Sequence, residues 1–149
     1  MKRSIVPLLL ATTFLVLNMT PLTHASACSL ESLKGAYGLL RHGTLLTSVL
    51  GLPAPAPWVE VAREQYDGAG NFVVTATLNI GGVAINATVP GTYTVNSDCT
   101  GTKAVHVGSG LTVTESIIVI GGGAKYIATD TEPFAVVQGT AEKLTTEED

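Results

Sequence analysis

Residues 71–89 read NFVVTATLNIGGVAINATV, and this stretch decides the fold. Phe72, Val74, Ala76, Leu78 and Ile80 alternate with Val73, Thr75, Thr77 and Asn79. Successive side chains of an extended strand point to opposite faces, so one face of this run is apolar from end to end. Gly81-Gly82 then offers a permissive backbone for a reversal. Beyond it Val83, Ile85, Ala87 and Val89 alternate with Ala84, Asn86 and Thr88. Two period-2 runs around such a turn specify strands that pair antiparallel and must bury a face.

The same grammar extends in both directions. Upstream, Asp67-Gly68-Ala69-Gly70-Asn71 is a strong hairpin signal, and the strand candidates Trp58–Tyr66 and Ala36–Leu46 precede it. Downstream come Gly91–Val95, Thr102–Val107, the run Leu111, Val113, Glu115, Ile117, Val119, then Ala124–Asp130 and Phe134–Glu142. The 83–89 and 91–95 runs merge through a bend at Pro90, a residue that cannot donate to a ladder. Asn96 to Gly101 and Gly121-Gly122-Gly123 are turn formers, and only Ser29 to Lys34 looks helical, for about one turn. About eight short strands at this spacing form a closed antiparallel barrel or a sandwich. The expectation is all-β, a closed antiparallel barrel with one disulfide. One segment departs from the pattern: Leu50 to Pro57 is apolar and proline-rich, either a connection packed on the barrel end or a rim over its mouth.

The N-terminus reads as an export signal. Met1-Lys2-Arg3 is basic, Ile5 to Leu17 is mostly apolar, and Ala25-Ser26-Ala27 places small residues at a signal peptidase site. The apolar run is too short and interrupted for a membrane span of roughly 20 residues. The expected layout is a signal peptide at 1–27, a barrel at 28–142 and a disordered acidic tail at 143–149, in a secreted or periplasmic protein. Lipid anchoring at Cys28 is the alternative, although Ala25 stands where a lipoprotein signal prefers Leu. Two cysteines remain after cleavage, Cys28 and Cys99, and an even count in an exported chain argues for a disulfide. It would close a loop of about 70 residues, a constraint of roughly 4 kcal/mol in the chain-entropy picture. The whole chain carries a formal charge of −4, and Lys2 and Arg3 leave with the signal. That acidity argues against a nucleic-acid partner.

Gly91-Thr92-Tyr93-Thr94-Val95-Asn96 followed by Asp98-Cys99-Thr100-Gly101-Thr102 resembles the signature of a family of small exported bacterial proteins. Its members look like allene oxide cyclase and lipocalin-like (calycin-like) β-barrels. Cys28, Leu33 and Gly35-Ala36-Tyr37-Gly38 resemble the family's start, Tyr66 to Asn71 its central hairpin, and Gly139-Thr140-Ala141 its closing strand. The resemblance implies an eight-stranded barrel with a central cavity. It carries no catalytic residues across, and fold analogy alone transfers no reaction.

Little in the chain carries chemistry by spacing. His42 and His106 stand apart from other ligand types, so no metal and no cofactor is expected. Asp67 to Asn71 fails as a calcium loop because Leu78 occupies the twelfth position. Gly108-Ser109-Gly110 is too short for a nucleophile elbow, and Gly121-Gly122-Gly123 lacks the Lys of a phosphate loop. Asn86-Ala87-Thr88 fits a glycosylation acceptor but reads equally as a strand triplet. The candidate of most interest is Glu115, which shares a face with Leu111, Val113, Ile117 and Val119. If that face lines the lumen, Glu115 is a candidate catalytic acid or base, with a raised pKa unless a cation partners it. If the face turns outward, it forms a subunit contact instead. Glu60 and Glu64 share a face with Trp58, Ala62 and Tyr66 and offer a weaker version of the idea. Trp58, Tyr93 and Tyr126 are the candidate ligand-binding side chains.

Three functions follow. The leading expectation is a non-catalytic barrel holding a small hydrophobic molecule in an apolar lumen. The second is an isomerase or cyclase acting on an apolar substrate. The third is a surface protein that forms homo-oligomers through apolar outer strands such as Ile117–Ile120.

Overall fold

Alternating apolar positions bury one face of each strand, and rolling the sheet until its edges meet leaves no unpaired edge. The computed structural model, which describes residues 27–108 and 110–145, has this form. The strands are β1 (Gly35–Leu45), β2 (Ala56–Tyr66), β3 (Asn71–Ile80), β4 (Val83–Val95), β5 (Thr100–Val107), β6 (Leu111–Ile120), β7 (Lys125–Asp130) and β8 (Ala135–Lys143). Each pairs antiparallel with the next, and β8 returns to β1, closing an eight-stranded up-and-down barrel. The calls on residues 1–26 and 146–149 lie outside the described residues. Pairing continues past residue 142, because Lys143 belongs to β8 and the Leu144 N–H donates to the Ala36 carbonyl at 2.8 Å. No helix among the described residues is long and apolar enough to cross a membrane.

The strand expected to bend at Pro90 is continuous. Ile85, Ala87, Val89, Gly91 and Tyr93 keep one phase along β4, so the inward face carries through the proline. What Pro90 does end is the ladder: β4 pairs with β5 only from Gly91↔Val105 onward, while Pro90 still pairs with Val73 of β3. Residues 83–90 therefore lack a β5 partner.

The two ends differ. At one end a 3-10 turn, Leu30–Leu33, plugs the barrel with the fully buried Leu33. Tyr37, Tyr66, Phe72, Tyr93 and Tyr126 fill the space beneath it, their rings packed edge-to-face, tilted or stacked at 5.0–6.4 Å. The Tyr93 hydroxyl donates to the Leu30 carbonyl at 3.0 Å, and the Tyr37 hydroxyl to the Gly123 carbonyl. The Cys28–Cys99 disulfide, with a sequence separation of 71 residues, ties the start of the domain to the β4–β5 turn. At the opposite end Leu45, Ala56, Trp58, Ile80, Ala135 and Val137 form a smaller cluster. The proline-rich connection packs on this cluster through Val49, Leu52 and Ala54.

Candidate ligand site

Strand phase sends an unusual set of side chains inward. On β1 the buried face runs Tyr37, Leu39, Arg41; on β2 it runs Trp58, Glu60, Glu64, Tyr66. Lys103 is inward on β5, Glu115 on β6, and Asp130 follows Tyr126 and Ala128 on β7. Register then brings them together. Arg41 lies opposite Glu60, Lys103 opposite Glu115, and Glu115 opposite Asp130. Gly139 on β8, directly across from Arg41, makes the arginine possible: a Cβ there would stand 2.4 Å from Arg41 Cγ.

Two cations organise the cluster. Lys103 Nζ donates to Glu64 Oε1 at 2.7 Å, Tyr126 Oη at 3.0 Å and Glu115 Oε2 at 3.3 Å. The Tyr126 and Tyr66 hydroxyls also reach Glu64 Oε2. Arg41 Nη1 lies 3.1 Å from Glu115 Oε1 and 3.4 Å from Glu60 Oε2, and Nη2 pairs with Asp130 Oδ1. Trp58 Nε1 donates to the same Glu60 Oε2 at 3.3 Å, and the guanidinium lies 5.8 Å over the indole ring. The two cations are not equally well served. Arg41 Nε, Glu115 Oε1 and Asp130 Oδ2 are buried without a hydrogen bond among the described residues. The Arg41–Glu115 contact is thus close in distance but misaligned for a bond, an ion pair more than a hydrogen bond.

Burial and charge set the protonation of these groups in opposite directions. Desolvation pushes Glu115 up, but Lys103 and Arg41 outweigh it and hold the carboxyl below its ordinary value. Burial would lower Lys103, yet Glu115 and Glu64 leave its ammonium above the usual lysine range. For Glu60 and Asp130 desolvation wins over the opposing Arg41. Glu60 is raised, and Asp130 is pushed up to about 6.

Above this charged layer the lumen is open. A cavity of about 140 Å³ runs from the layer to the proline-rich connection. Its walls are apolar, with Leu78, Ile85, Val89, Val105 and Leu111 among them. Val49, Leu50 and Leu52 of the connection and Phe134 form its rim, and Arg41, Glu60, Glu64 and Glu115 its floor. An apolar cavity of about 150 Å³ is known to admit benzene. The volume therefore suits a ring-sized or short aliphatic group.

Of the side chains singled out from sequence, the structure brings Glu115, Glu60, Glu64 and Trp58 to this site. The inward phase of Leu111, Val113, Glu115, Ile117 and Val119 resolves the facing of that strand, and leaves Ile118 and Ile120 exposed on the outside. A raised pKa for Glu115 was tied to the lack of a cation, and two cations stand beside it. Tyr93 and Tyr126 are not at the cavity; both belong to the filled end, where Tyr126 hydrogen-bonds Glu64. The lumen expected to be apolar with few polar groups has apolar walls and a charged floor. Arg41, Lys103 and Asp130 escaped the sequence reading, although each occupies the inward phase of its run. Asp67 accepts bonds from the Ala69 and Asn71 backbone N–H groups, as a hairpin requires. His42 and His106 lie on the outer surface beside Gln138 and Thr112. Among the described residues no three His, Cys, Asp or Glu side chains are grouped to hold a metal ion.

No family model and no curated protein matches the chain. A solved structure described as a redesigned β-barrel is similar at 10% sequence identity with a TM-score of 0.51. The similarity covers 78% of this chain and 95% of that one, and at this identity it shows the barrel fold alone.

Proposed function

We propose that this protein is an exported barrel that binds a small, mainly apolar molecule in the open half of its lumen without transforming it. The observation that carries the reading is the cavity of about 140 Å³ between the charged layer and the proline-rich connection. Concave, largely apolar spaces with a few convergent polar groups are the usual form of a small-molecule site. Export is supported by the leader-like residues 1–27 and by a disulfide of the kind that persists in oxidising compartments. The resemblance to calycin-like and allene oxide cyclase-like barrels agrees with a ligand held inside the barrel. Trp58 lines the cavity and is the single tryptophan of the chain, so its fluorescence reports occupancy. Titration with benzyl alcohol should give a saturable change. Ala87→Phe, which places a ring into the cavity from β4, should abolish it. A change that never saturates, or one that survives Ala87→Phe unaltered, would overturn the reading.

A catalytic alternative has one observation in its favour. Glu60 lines the cavity, and burial raises its carboxyl above the ordinary range, as an acid or base for an apolar substrate requires. Glu115 is the weaker choice, because its paired cations hold it ionised. An assembly role would instead use the outer strip where Leu40, Ile118 and Ile127 are exposed.

A further inference from the structure

The charged layer does not balance. Among the described residues the lumen contains four carboxyl groups, on Glu60, Glu64, Glu115 and Asp130. It contains two cationic side chains, Arg41 and Lys103. Lys103 is enclosed by Glu64, Glu115 and Tyr126. Arg41 is met by three carboxylates, Glu60, Glu115 and Asp130. Among the described residues both lumen cations are thus paired with carboxylates, and one donor, Arg41 Nε, stays unbonded. The acceptors, by contrast, exceed the donors. Both hydrogen bonds to Glu60 fall on Oε2, which leaves Oε1 for another donor. Glu115 is 1% exposed, lines the cavity floor and carries an Oε1 without a hydrogen bond. Buried negative charge without a counter-charge is costly, and a ligand cation would relieve it.

We propose that the lumen site takes a small organic cation: a primary ammonium seated at Glu60 and Glu115, with a ring-sized or short aliphatic body in the apolar cavity above. This rests on the lumen-binding reading and adds the chemical class. An ammonium carries three donors and no acceptor, which matches a floor short of donors. The indole of Trp58 beside Glu60 adds an aromatic surface of the kind that cations favour. The apolar walls supply the affinity for the body, and the carboxylates discriminate the head.

The test compares three ligands of one shape, benzylammonium, benzyl alcohol and benzoate, titrated into the full chain at pH 7.5. Trp58 fluorescence and calorimetry read the binding. Benzylammonium should bind at least about tenfold tighter than benzyl alcohol, and benzoate weakest, since charge-assisted bonds are the stronger ones. Benzyl alcohol binding as tightly as benzylammonium, or benzoate binding tightest, would overturn the cation assignment and leave the lumen site standing. Saturable binding by none of the three would remove both. Glu60→Gln should weaken benzylammonium about tenfold more than benzyl alcohol, and Glu60→Asp should restore part of the difference. Equal weakening of both ligands by Glu60→Gln would also overturn the assignment. If neither variant folds, the ranking on the unaltered chain decides.

Discussion

The lumen holds two cations on one plan and in two conditions. Lys103, toward the filled end, is 1% exposed and donates to three oxygens. Arg41, toward the mouth, has an unbonded Nε, and each of its three carboxylate partners keeps an unbonded oxygen. Aromatic rings close the space on the Lys103 side, and a cavity opens on the Arg41 side. A fully satisfied buried network rigidifies a core, whereas a partly satisfied one is a functional candidate. The first cluster thus reads as structure and the second as a site.

The largest test of that division is removal of each cation. Lys103→Met would leave Glu64 and Glu115 buried without their ammonium, and should lower stability by about 3–5 kcal/mol in chemical denaturation. Arg41→Met should cost clearly less, because Glu60 and Glu115 border the cavity, and because burial already raises Glu60 and Asp130, so both take up a proton more readily once the guanidinium is gone. Equal costs would mean that the two clusters do the same job.

Next in size is the disulfide, which belongs to the filled end. Cys28→Ser with Cys99→Ser should cost about 2–4 kcal/mol. The loss should fall on the plug formed by Leu30–Leu33, so hydrogen exchange should quicken in residues 28–37 and 96–101 before the strands around the cavity. Uniform quickening around the barrel would show that the two ends are one cooperative unit.

These two clusters were not equally legible from the chain. Alternation in residues 72–80 and 83–89 exposes the fold, and the same rule places Glu60 and Glu64 on the Trp58 face. Lys103 was within reach: Val107 pairs with Leu111, and counting back along both strands puts Lys103 opposite Glu115. A strand lysine ordinarily faces water, so its residue type hides its placement. The phase of Glu115 was ambiguous because Ile118 and Ile120 make the outer face of β6 apolar as well. Arg41 was out of reach. Its site depends on Gly139 of β8, brought opposite by barrel closure across almost 100 residues, and no short hairpin sets that register.

A smaller effect separates the clusters by pH. Asp130 holds its proton up to about 6, against an ordinary 3.8. Between those values the folded chain keeps a proton that the unfolded chain has lost, so this group makes stability fall as pH rises through that window. Asp130→Asn cannot ionise. Relative to the parent it should gain roughly 2 kcal/mol on going from pH 4 to pH 7. Glu115 contributes in the opposite sense, because its lowered pKa stabilises the fold above the ordinary value and is lost toward acid. Denaturation curves at four or five pH values, parent against variant, isolate the Asp130 part. Parallel profiles would show Asp130 to be ionised throughout and would strengthen the case for an unbalanced floor.

The smallest effect comes from a pair that repeats the lumen chemistry in water. Lys125 and Glu142 face each other across β7 and β8, as Lys103 and Glu115 do across β5 and β6. Their separations are similar, 3.6 Å outside and 3.3 Å inside. The outer side chains are 39% and 73% exposed, the inner ones fully buried. In water the attraction is screened and the ordering of two long side chains offsets it, so an exposed pair contributes little. Glu142→Gln should shift stability by less than about 0.5 kcal/mol, and high salt should erase even that. Lys103→Met should keep its full cost in the same salt, because the lumen excludes the screening ions. If the outer variant costs as much as the inner one, or if salt weakens both alike, residue type rather than burial sets the strength. The contrast between the two halves of the barrel would then lose its physical basis.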